Sequence, residues 1–272
     1  MIFLYSLEIC RDGHSYSMKI LLTNDDGFHA AGIIELAKSL QKDHDVFMVA
    51  PRTEQSGISQ AITFLRPMFP VALDSETGIE GFSLDGTPTD CVKLGLEHLC
   101  PFKPDLIVSG INGGYNVGVN CCYSGTVGGA LTATQFGFPA IAFSLEFGKQ
   151  MNYAKAADLA APLVQQLWVD PWPQQVALNI NFPSESLSGN AEIHFVPQET
   201  NPLGYKYDEG RDPKGRLFYW ANNKPAPEPS PHPTDVSVVN AGNISVTTLS
   251  FNLNHADSLS VFREKMTSST AT

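Results

Sequence analysis

Apolar runs and amphipathic segments alternate along the first two thirds of the chain. An unbroken apolar run at 20–22 predicts a buried strand, and apolar residues at helical spacing from Ala30 to Leu40 predict a helix after it. A second apolar run at 45–50 predicts the next strand. A strand, a helix and a strand in this order predict a right-handed parallel crossover, and therefore an α/β fold with a mostly parallel sheet.

The same alternation continues to residue 182. Further strands are predicted at 106–109, 139–144 and 177–182, further helices at 88–99, 124–137 and 153–168, and short strands at 61–65, 68–73 and 79–84. We interpret the three short strands as an insertion beside the main sheet, because turn signals surround them.

The pattern changes near Pro183, where loops rich in Pro, Gly and Asn begin to separate the apolar segments. Strands are predicted at 191–197, 216–221 and 243–249, a short helix at 257–266 and an exposed proline-rich loop at 224–233. We therefore divide the chain into an N-terminal appendage (1–17), an α/β core (18–183) and a β-rich C-terminal extension (184–272) suited to subunit contacts.

Two adjacent carboxylates follow the first strand. Asp25 and Asp26 lie between Asn24 and Gly27, so both acids stand at the carboxyl end of the strand before the helix begins. Ligands bind at this edge in open α/β sheets. Two acids this close repel each other unless a cation lies between them, and hard oxygen ligands suit Mg²⁺, Mn²⁺ or Ca²⁺. The alternative is that these four residues form only a turn with a helix N-cap.

Three more polar segments are expected at the same edge. The loop after the second strand carries Ser56, and the glycine-rich loop after the strand at 106–109 carries Asn112 and Asn116. Residues 124–126 open a helix, whose N-terminus offers free amides and hydroxyls to an anion. Metal-assisted hydrolysis of a phosphate ester requires acids and neutral oxygens that bind a hard cation, and amides beside them that bind the phosphate.

The net charge argues against two classes of partner, and the cysteine content indicates a cellular compartment. A formal net charge of −11 over 272 residues argues against nucleic acid or an anionic membrane surface as a partner. Five cysteines without CxxC spacing indicate a reducing compartment, so we expect a cytoplasmic protein. No apolar run reaches the length of a membrane span, and the first residues lack the basic segment of a signal peptide.

Five motifs resemble, in the same order, those of the SurE family of survival proteins. They are TNDDG (23–27), APRTEQSG (50–57), GTPTDCVKLGL (86–96), SGINGGYNVG (109–118) and YSGTVGGA (123–130). The resemblance runs from Met18 to about Asn254. It implies a three-layer α/β/α Rossmann-like core, with a C-terminal extension exchanged between subunits of a homodimer or homotetramer. The implied activity is metal-dependent hydrolysis of nucleoside 5′- and 3′-monophosphates, sometimes with short polyphosphate as a second substrate.

The resemblance also implies roles for individual residues. It implies one divalent cation per subunit, Mg²⁺ or Mn²⁺, held by Asp25, Asp26, Ser56 and Asn112, with Asn116, Ser124, Gly125 and Thr126 on the phosphate side. Asp25 and Asp26 are also the candidate catalytic residues, since either could act as a base.

Two positions depart from the family pattern. Asn120 and Thr132 stand where the family usually has an aspartate and a glutamate. We hypothesise that these acids orient the metal ligands indirectly, so their loss retunes metal affinity or the pH optimum without abolishing hydrolysis. A gain of orders of magnitude in the turnover of Asn120→Asp would instead show that the native site is impaired.

Two other functions compete with this interpretation. A non-catalytic nucleotide sensor would retain the metal and phosphate loops, and Asn120 and Thr132 are its only support. A haloacid-dehalogenase-type phosphatase requires two acids spaced as DxD and forms a phospho-aspartyl intermediate, and the adjacent Asp25 and Asp26 disfavour it.

Overall fold

The computed structural model describes residues 17–74, 78–201, 205–223 and 230–269. The predicted appendage up to residue 16 and most of the predicted loop at 224–233 lie outside this part of the chain. The strands are β1 (Lys19–Thr23), β2 (Asp45–Pro51), β3 (Val71–Ala72), β4 (Gly81–Leu84), β5 (Leu106–Gly113), β6 (Ala140–Leu145), β7 (Ala177–Phe182), β8 (Ile193–Phe195), β9 (Tyr205–Arg211), β10 (Leu217–Asn223) and β11 (Ile244–Leu249). The helices are α1 (Ala31–Leu40), α2 (Pro88–Leu94), α3 (Gly125–Gln135), α4 (Tyr153–Gln166), α5 (Asp235–Asn240) and α6 (Ala256–Ser269), with a π-helical turn at Gly95–Leu99 and 3₁₀ turns at Gly118–Cys122 and Ser184–Ser188.

A single large sheet organises the described residues, with the strand order β3-β4-β2-β1-β5-β6-β7-β11-β8. β1 pairs in parallel with β2 and with β5, so that Ile20 lies opposite Val46 on one side and Leu106 on the other. The other pairs are also parallel except β3–β4 and β7–β11, which are antiparallel. The predicted α/β fold with a mostly parallel sheet is therefore confirmed.

Helices cover both faces of this sheet. Leu36 of α1 lies in one buried cluster with Leu22 and with residues of α4. Val92 of α2 lies in a second buried cluster with Leu21 and with residues of α3. Neighbouring residues of a strand point to opposite faces, so the unbroken apolar run of β1 reflects burial on both sides. This arrangement is the predicted three-layer α/β/α core.

Gly32 allows α1 to lie close against β5. A Cβ atom at this position would stand 2.0 Å from the carbonyl oxygen of Ile111. In a helix, alanine is normally more favourable than glycine. At this position, however, we expect Gly32→Ala to destabilise the protein by about 2–3 kcal/mol through overpacking. Urea denaturation measures this change. Gly148→Ala is the control, because no atom lies within 4 Å of its Cβ position; equal midpoints for the two variants would contradict the close approach.

The chain returns to the core sheet after residue 183. β11 pairs with β7, placing Val246 opposite Ile180, and β8 then pairs with β11. The hairpin of β9 and β10 forms a separate two-stranded sheet. The boundary predicted at 183 therefore does not separate two sheets, and the exchange of the extension between subunits stays a prediction.

The prediction of a strand at 61–65 is wrong. These residues form no strand, and Phe64 and Leu65 are exposed. The amide of Thr63 donates to the carboxylate of Asp90 at 3.0 Å instead of to a neighbouring strand. Apolar composition alone therefore misled the assignment here.

The pattern also missed two elements, β9 and α5. β9 carries charged residues along its length, and α5 has only six residues, which is too short for helical periodicity to be recognised. No helix in the described part of the chain is both long enough and apolar enough to cross a bilayer.

Candidate active site

The loops after β1, β2 and β5 meet at the carboxyl edge of the sheet, because these three strands are neighbours. The backbone amide of Gln55, in the loop after β2, donates to the carbonyl oxygen of Asp25 at 2.7 Å. The backbone amide of Gly113, at the end of β5, donates to Oδ2 of Asp26 at 3.1 Å. The structure thus brings the two acids to the meeting point of the three loops, as the sequence predicted.

Asp25 lies beneath the N-terminus of α3 and is only 4% exposed. The hydroxyl of Thr126 donates a short hydrogen bond to its Oδ1. Burial raises the pKa of Asp25 to about 6; the Thr126 hydroxyl opposes this shift and the charge of Asp26 adds to it. A Cβ atom on Gly125 would stand 2.8 Å from Cβ of Asp25, so only glycine allows the helix this close.

Asp26 is half-buried and points toward the end of β5. Burial raises its pKa, the Gly113 amide lowers it, and the nearby charge of Glu54 raises it again. Tyr153 at the start of α4 is affected in turn, since burial and the charge of Asp26 raise the pKa of its phenol to about 12. Asp26 therefore lies near the negative charges of Asp25 and Glu54 and near a tyrosine that stays protonated.

Of the two neutral residues predicted as metal ligands, Ser56 lies on the loop after β2 and Asn112 lies near the end of β5. Ser56 is exposed, and its hydroxyl donates to Oε1 of Glu54 at 2.6 Å. Asn112 is half-buried, and its side-chain nitrogen donates to the carbonyl of Gly114 at 2.8 Å. This bond orients the amide of Asn112 and leaves its side-chain oxygen as the group that can contact a cation.

A hard divalent cation fits this donor set. None of the ion pairs among the described residues includes Asp25 or Asp26. Burial raises the pKa of both carboxyls, so a bound cation would stabilise their ionised forms. The neighbouring Oδ1 of Asn24 is buried without a hydrogen-bond partner. Within the described residues no group of three or more His, Cys, Asp or Glu forms a metal cluster, so a cation here would depend on two carboxylates and neutral oxygens.

Residues 124–126 form the start of α3, as predicted. The hydroxyl of Ser124 accepts a hydrogen bond from the amide of Val127 at 3.1 Å and so caps the helix. Thr126 is fully buried, and its hydroxyl is directed to Asp25. The first-turn amides of this 11-residue helix are therefore the groups that can face an anion.

Asn116 is fixed by several hydrogen bonds to neighbouring strands, which the sequence analysis did not predict. It is 6% exposed, its side-chain nitrogen donates to the hydroxyl of Ser144 at 2.9 Å, and its backbone amide donates to Oδ1 of Asn181 at 2.8 Å. Asn179 donates to its carbonyl at 2.7 Å. The predicted direct contact of Asn116 with phosphate stays a prediction, and these bonds show a second role in fixing the loop.

Sequence reasoning missed the partners of Asn116. Asn179 and Asn181 stand two residues apart in the otherwise apolar β7, so both point to the same face of the sheet. Two amides on one face of a buried strand are a signal that could have been used, because buried polar groups require partners.

The two departures from the family pattern lie in α3 and in the 3₁₀ turn before it. Thr132 is 1% exposed; its hydroxyl donates to the carbonyl of Gly128 at 2.7 Å and lies near Gln60 and Thr89. It therefore joins α3 to α2 and to the loop after β2. Asn120 lies in the 3₁₀ turn that precedes α3 and is half-buried.

Comparison with known proteins identifies the family of this chain. The family profile described as "Survival protein SurE" matches residues 20–203. The chain is 37% identical over 248 residues to a protein of Rhodopirellula baltica named 5′-nucleotidase SurE, covering 91% of this chain and 98% of that protein. It is 38% identical over 251 residues to a Nostoc protein of the same name, covering 88% and 95%.

The solved structure of the SurE protein from Aquifex aeolicus is similar in fold. It superposes with a TM-score of 0.76 at 31% identity, covering 91% of this chain and 99% of the other. The fold, the family profile and the relatives together show that this chain belongs to the SurE family.

Proposed function

We propose that this protein is a divalent-metal-dependent nucleotidase, which hydrolyses nucleoside 5′-monophosphates to nucleoside and phosphate. One observation carries the proposal: Asp25 is buried beneath the first turn of α3, with Asp26 beside it. Two carboxylates that require a cation, next to amides that favour an anion, suit a phosphate ester bridging both. The names of the relatives, 5′-nucleotidase SurE, support the same substrate class.

Asp25, Asp26, Ser56 and Asn112 would hold the cation, and Mg²⁺ or Mn²⁺ fits these oxygen ligands. When bound, the cation would neutralise phosphoryl oxygens and lower the pKa of a water molecule. Thr126 fixes the orientation of Asp25 through its hydrogen bond.

The phosphate would lie at the N-terminus of α3. The amide of Gly125 would stabilise the charge that develops on the transferred group, the amide of Thr126 is directed to Asp25, and the Ser124 cap keeps this turn in place. Asp25 or Asp26 accepts the proton of the attacking water. With a pKa raised to about 6, Asp25 is ionised at neutral pH and remains a usable base.

Phosphate release from a panel of substrates tests this function. The panel contains 5′- and 3′-monophosphates of each nucleoside and short polyphosphate, assayed with Mg²⁺ and with Mn²⁺. We expect the 5′- and the 3′-monophosphates to be hydrolysed, and short polyphosphate to be a secondary substrate. Tight binding of a monophosphate without phosphate release would favour the nucleotide sensor, and a trapped phospho-aspartate would favour the dehalogenase-type mechanism.

We further propose that the protein is a cytoplasmic homodimer or homotetramer whose extension (184–272) is exchanged between subunits. Trp220 is 72% exposed on the β9–β10 hairpin, beside other exposed aromatic residues, as expected for a surface that contacts a second subunit. The cysteines of the described residues are free thiols, in agreement with a reducing compartment. Light scattering coupled to gel filtration measures the subunit number, and a monomer at micromolar concentration would contradict the exchange.

A further inference from the structure

Gly118 connects the glycine-rich loop to the 3₁₀ turn that leads into α3. Both of its backbone polar groups are held by side chains from the C-terminal third of the chain. Its N–H donates to Oδ2 of Asp235 at 2.8 Å, and its carbonyl accepts from Nε2 of Gln198 at 2.7 Å. Its φ of +55° lies in the left-handed region that favours glycine, and Val236 and Glu199 pack against it.

Asp235 is fully buried and takes part in no ion pair among the described residues. Its other oxygen, Oδ1, accepts from the amides of Glu199 and Val236, each at 2.8 Å. Burial raises the pKa of this carboxyl, and the three backbone hydrogen bonds oppose the shift. Glu199, the next buried acid, accepts hydrogen bonds from the Asn201 amide and the Thr234 hydroxyl.

Burying a carboxylate without a neighbouring cation lowers the stability of the fold. An apolar residue would pack at this position without that loss. Three N–H donors converge on Asp235, and one of them belongs to the loop at the active site. Backbone amides that donate to a carboxylate form strong, directional bonds. The most direct consequence of this charge is therefore a fixed position for Gly118.

We propose that Asp235 and Gln198 are positioning residues, which hold Gly118 and through it fix the segment from Asn116 to Ser124 on the phosphate side of the active site. This inference rests on the proposed function and deepens it. Asp25 and Asp26 follow β1, and neither acid takes part in the hydrogen bonds that hold Gly118. Loosening Gly118 should therefore disturb the phosphate side and leave the metal side intact.

The principal test compares wild type, Asp235→Asn, Gln198→Ala and the double variant with 5′-AMP as substrate. Asparagine has the same shape but must direct its N–H₂ group either at the Gly118 N–H or at the two N–H groups that bind Oδ1, and the first orientation loses fewer hydrogen bonds. We expect kcat/KM to fall about 10–100-fold in Asp235→Asn, as is usual when a group that orients an active site is lost. Because both side chains hold the same residue, Gly118, the double variant should lose less than the sum of the single losses. The Kd for Mn²⁺ should stay within about twofold of wild type, since distant sites act independently.

Val246→Ala is the control for a general loss of stability. Val246 is buried in β11, where it lies opposite Ile180 and Phe195. The side chains that hydrogen-bond to Gly118 are those of Asp235 and Gln198. This variant should unfold at lower urea concentration but retain the kcat/KM of wild type. Gln198 is only half-buried, so Gln198→Ala remains an informative variant if Asp235→Asn does not fold.

Hydrogen exchange of the backbone amides at 116–123 provides a readout that does not depend on activity. We expect faster exchange there in Asp235→Asn, and no change there in Val246→Ala. Wild-type kcat/KM and wild-type exchange in Asp235→Asn would overturn the inference, as would strictly additive losses or an equal loss of Mn²⁺ binding. If wild type releases no phosphate but Asp235→Asn still exchanges faster at 116–123, the proposed function fails while the anchor stands.

Discussion

Replacing Asp25 with asparagine should abolish nucleotidase activity and yet make the metal-free protein more stable. Asparagine can still accept the Thr126 hydrogen bond, so the local structure is expected to persist. It removes one of the two charges proposed to bind the cation, and a candidate base with it. We expect phosphate release from 5′-monophosphates to fall by about 10³ or more, as when a charge-stabilising group is lost from an active site.

The gain in stability follows from the raised pKa of Asp25. Its pKa is about 6 in the folded chain against an ordinary value of 3.8, so ionisation opposes folding. Well below pH 3.8 the carboxyl is protonated in the folded and unfolded chains, and it contributes no penalty. Above pH 6 it is ionised in both, and at about 1.4 kcal/mol per pH unit the penalty is about 3 kcal/mol. The asparagine side chain avoids this penalty because it cannot ionise.

Urea denaturation in EDTA at pH 4 and at pH 8 measures the effect. Asp25→Asn should be close to wild type at pH 4 and more stable by about 3 kcal/mol at pH 8. Asp158→Asn is the matched control, because Asp158 is a solvent-exposed acid paired with Lys42. Its free energy of unfolding should change by less than about 1 kcal/mol at either pH, as is usual for an exposed ion pair. If the free energies of unfolding of Asp25→Asn and wild type differ by the same amount at pH 4 and pH 8, burial does not destabilise the ionised form of this carboxylate.

The second large effect is expected for Gly125→Ala. The new Cβ would lie 2.8 Å from Cβ and 3.0 Å from Oδ2 of Asp25, so either α3 or the carboxylate must move. A displacement of about 1 Å between reacting groups lowers rates by about 100-fold, and we expect kcat/KM to fall by this factor. Steady-state kinetics with 5′-AMP measures the loss.

Gly129→Ala, one turn further along α3, is the control for this prediction. Its Cβ position has no neighbour nearer than 3.3 Å, the distance to Oγ of Ser109 and Cγ2 of Thr23. Small shifts of these side chains can accommodate a methyl group, and alanine favours the helix by about 1 kcal/mol over glycine. We expect activity near that of wild type. Equal losses in both variants would mean that α3 as a whole, rather than its contact with Asp25, controls the activity.

The parts of the site that the sequence predicted are local in the chain. Asp25 and Asp26 follow β1 directly, and Ser124 caps the helix that begins at the next residue, so the apolar pattern and the turn residues were sufficient. The anchor at Gly118 could not be predicted in this way. Its partner Asp235 lies 117 residues further along the chain, in a helix too short to show periodicity.

The same limit explains the errors elsewhere. The network around Asn116 joins residues of β6 and β7, and their pairing in space follows from the strand order rather than from neighbouring residues. Residues 61–65 have the composition of a strand, but the acid at position 90 binds their backbone. The local sequence pattern thus predicts the helices and strands and the residues at their ends. Contacts between segments that are distant in the sequence determine which polar groups remain available to bind a ligand.

The most direct test of the central claim is to withdraw and restore the metal during hydrolysis of 5′-AMP. Phosphate release should stop when EDTA is added, return when excess Mg²⁺ or Mn²⁺ is supplied, and be absent throughout in Asp25→Asn. Release that continues undiminished in EDTA, or that persists in Asp25→Asn, would contradict a cation held by the two acids after β1.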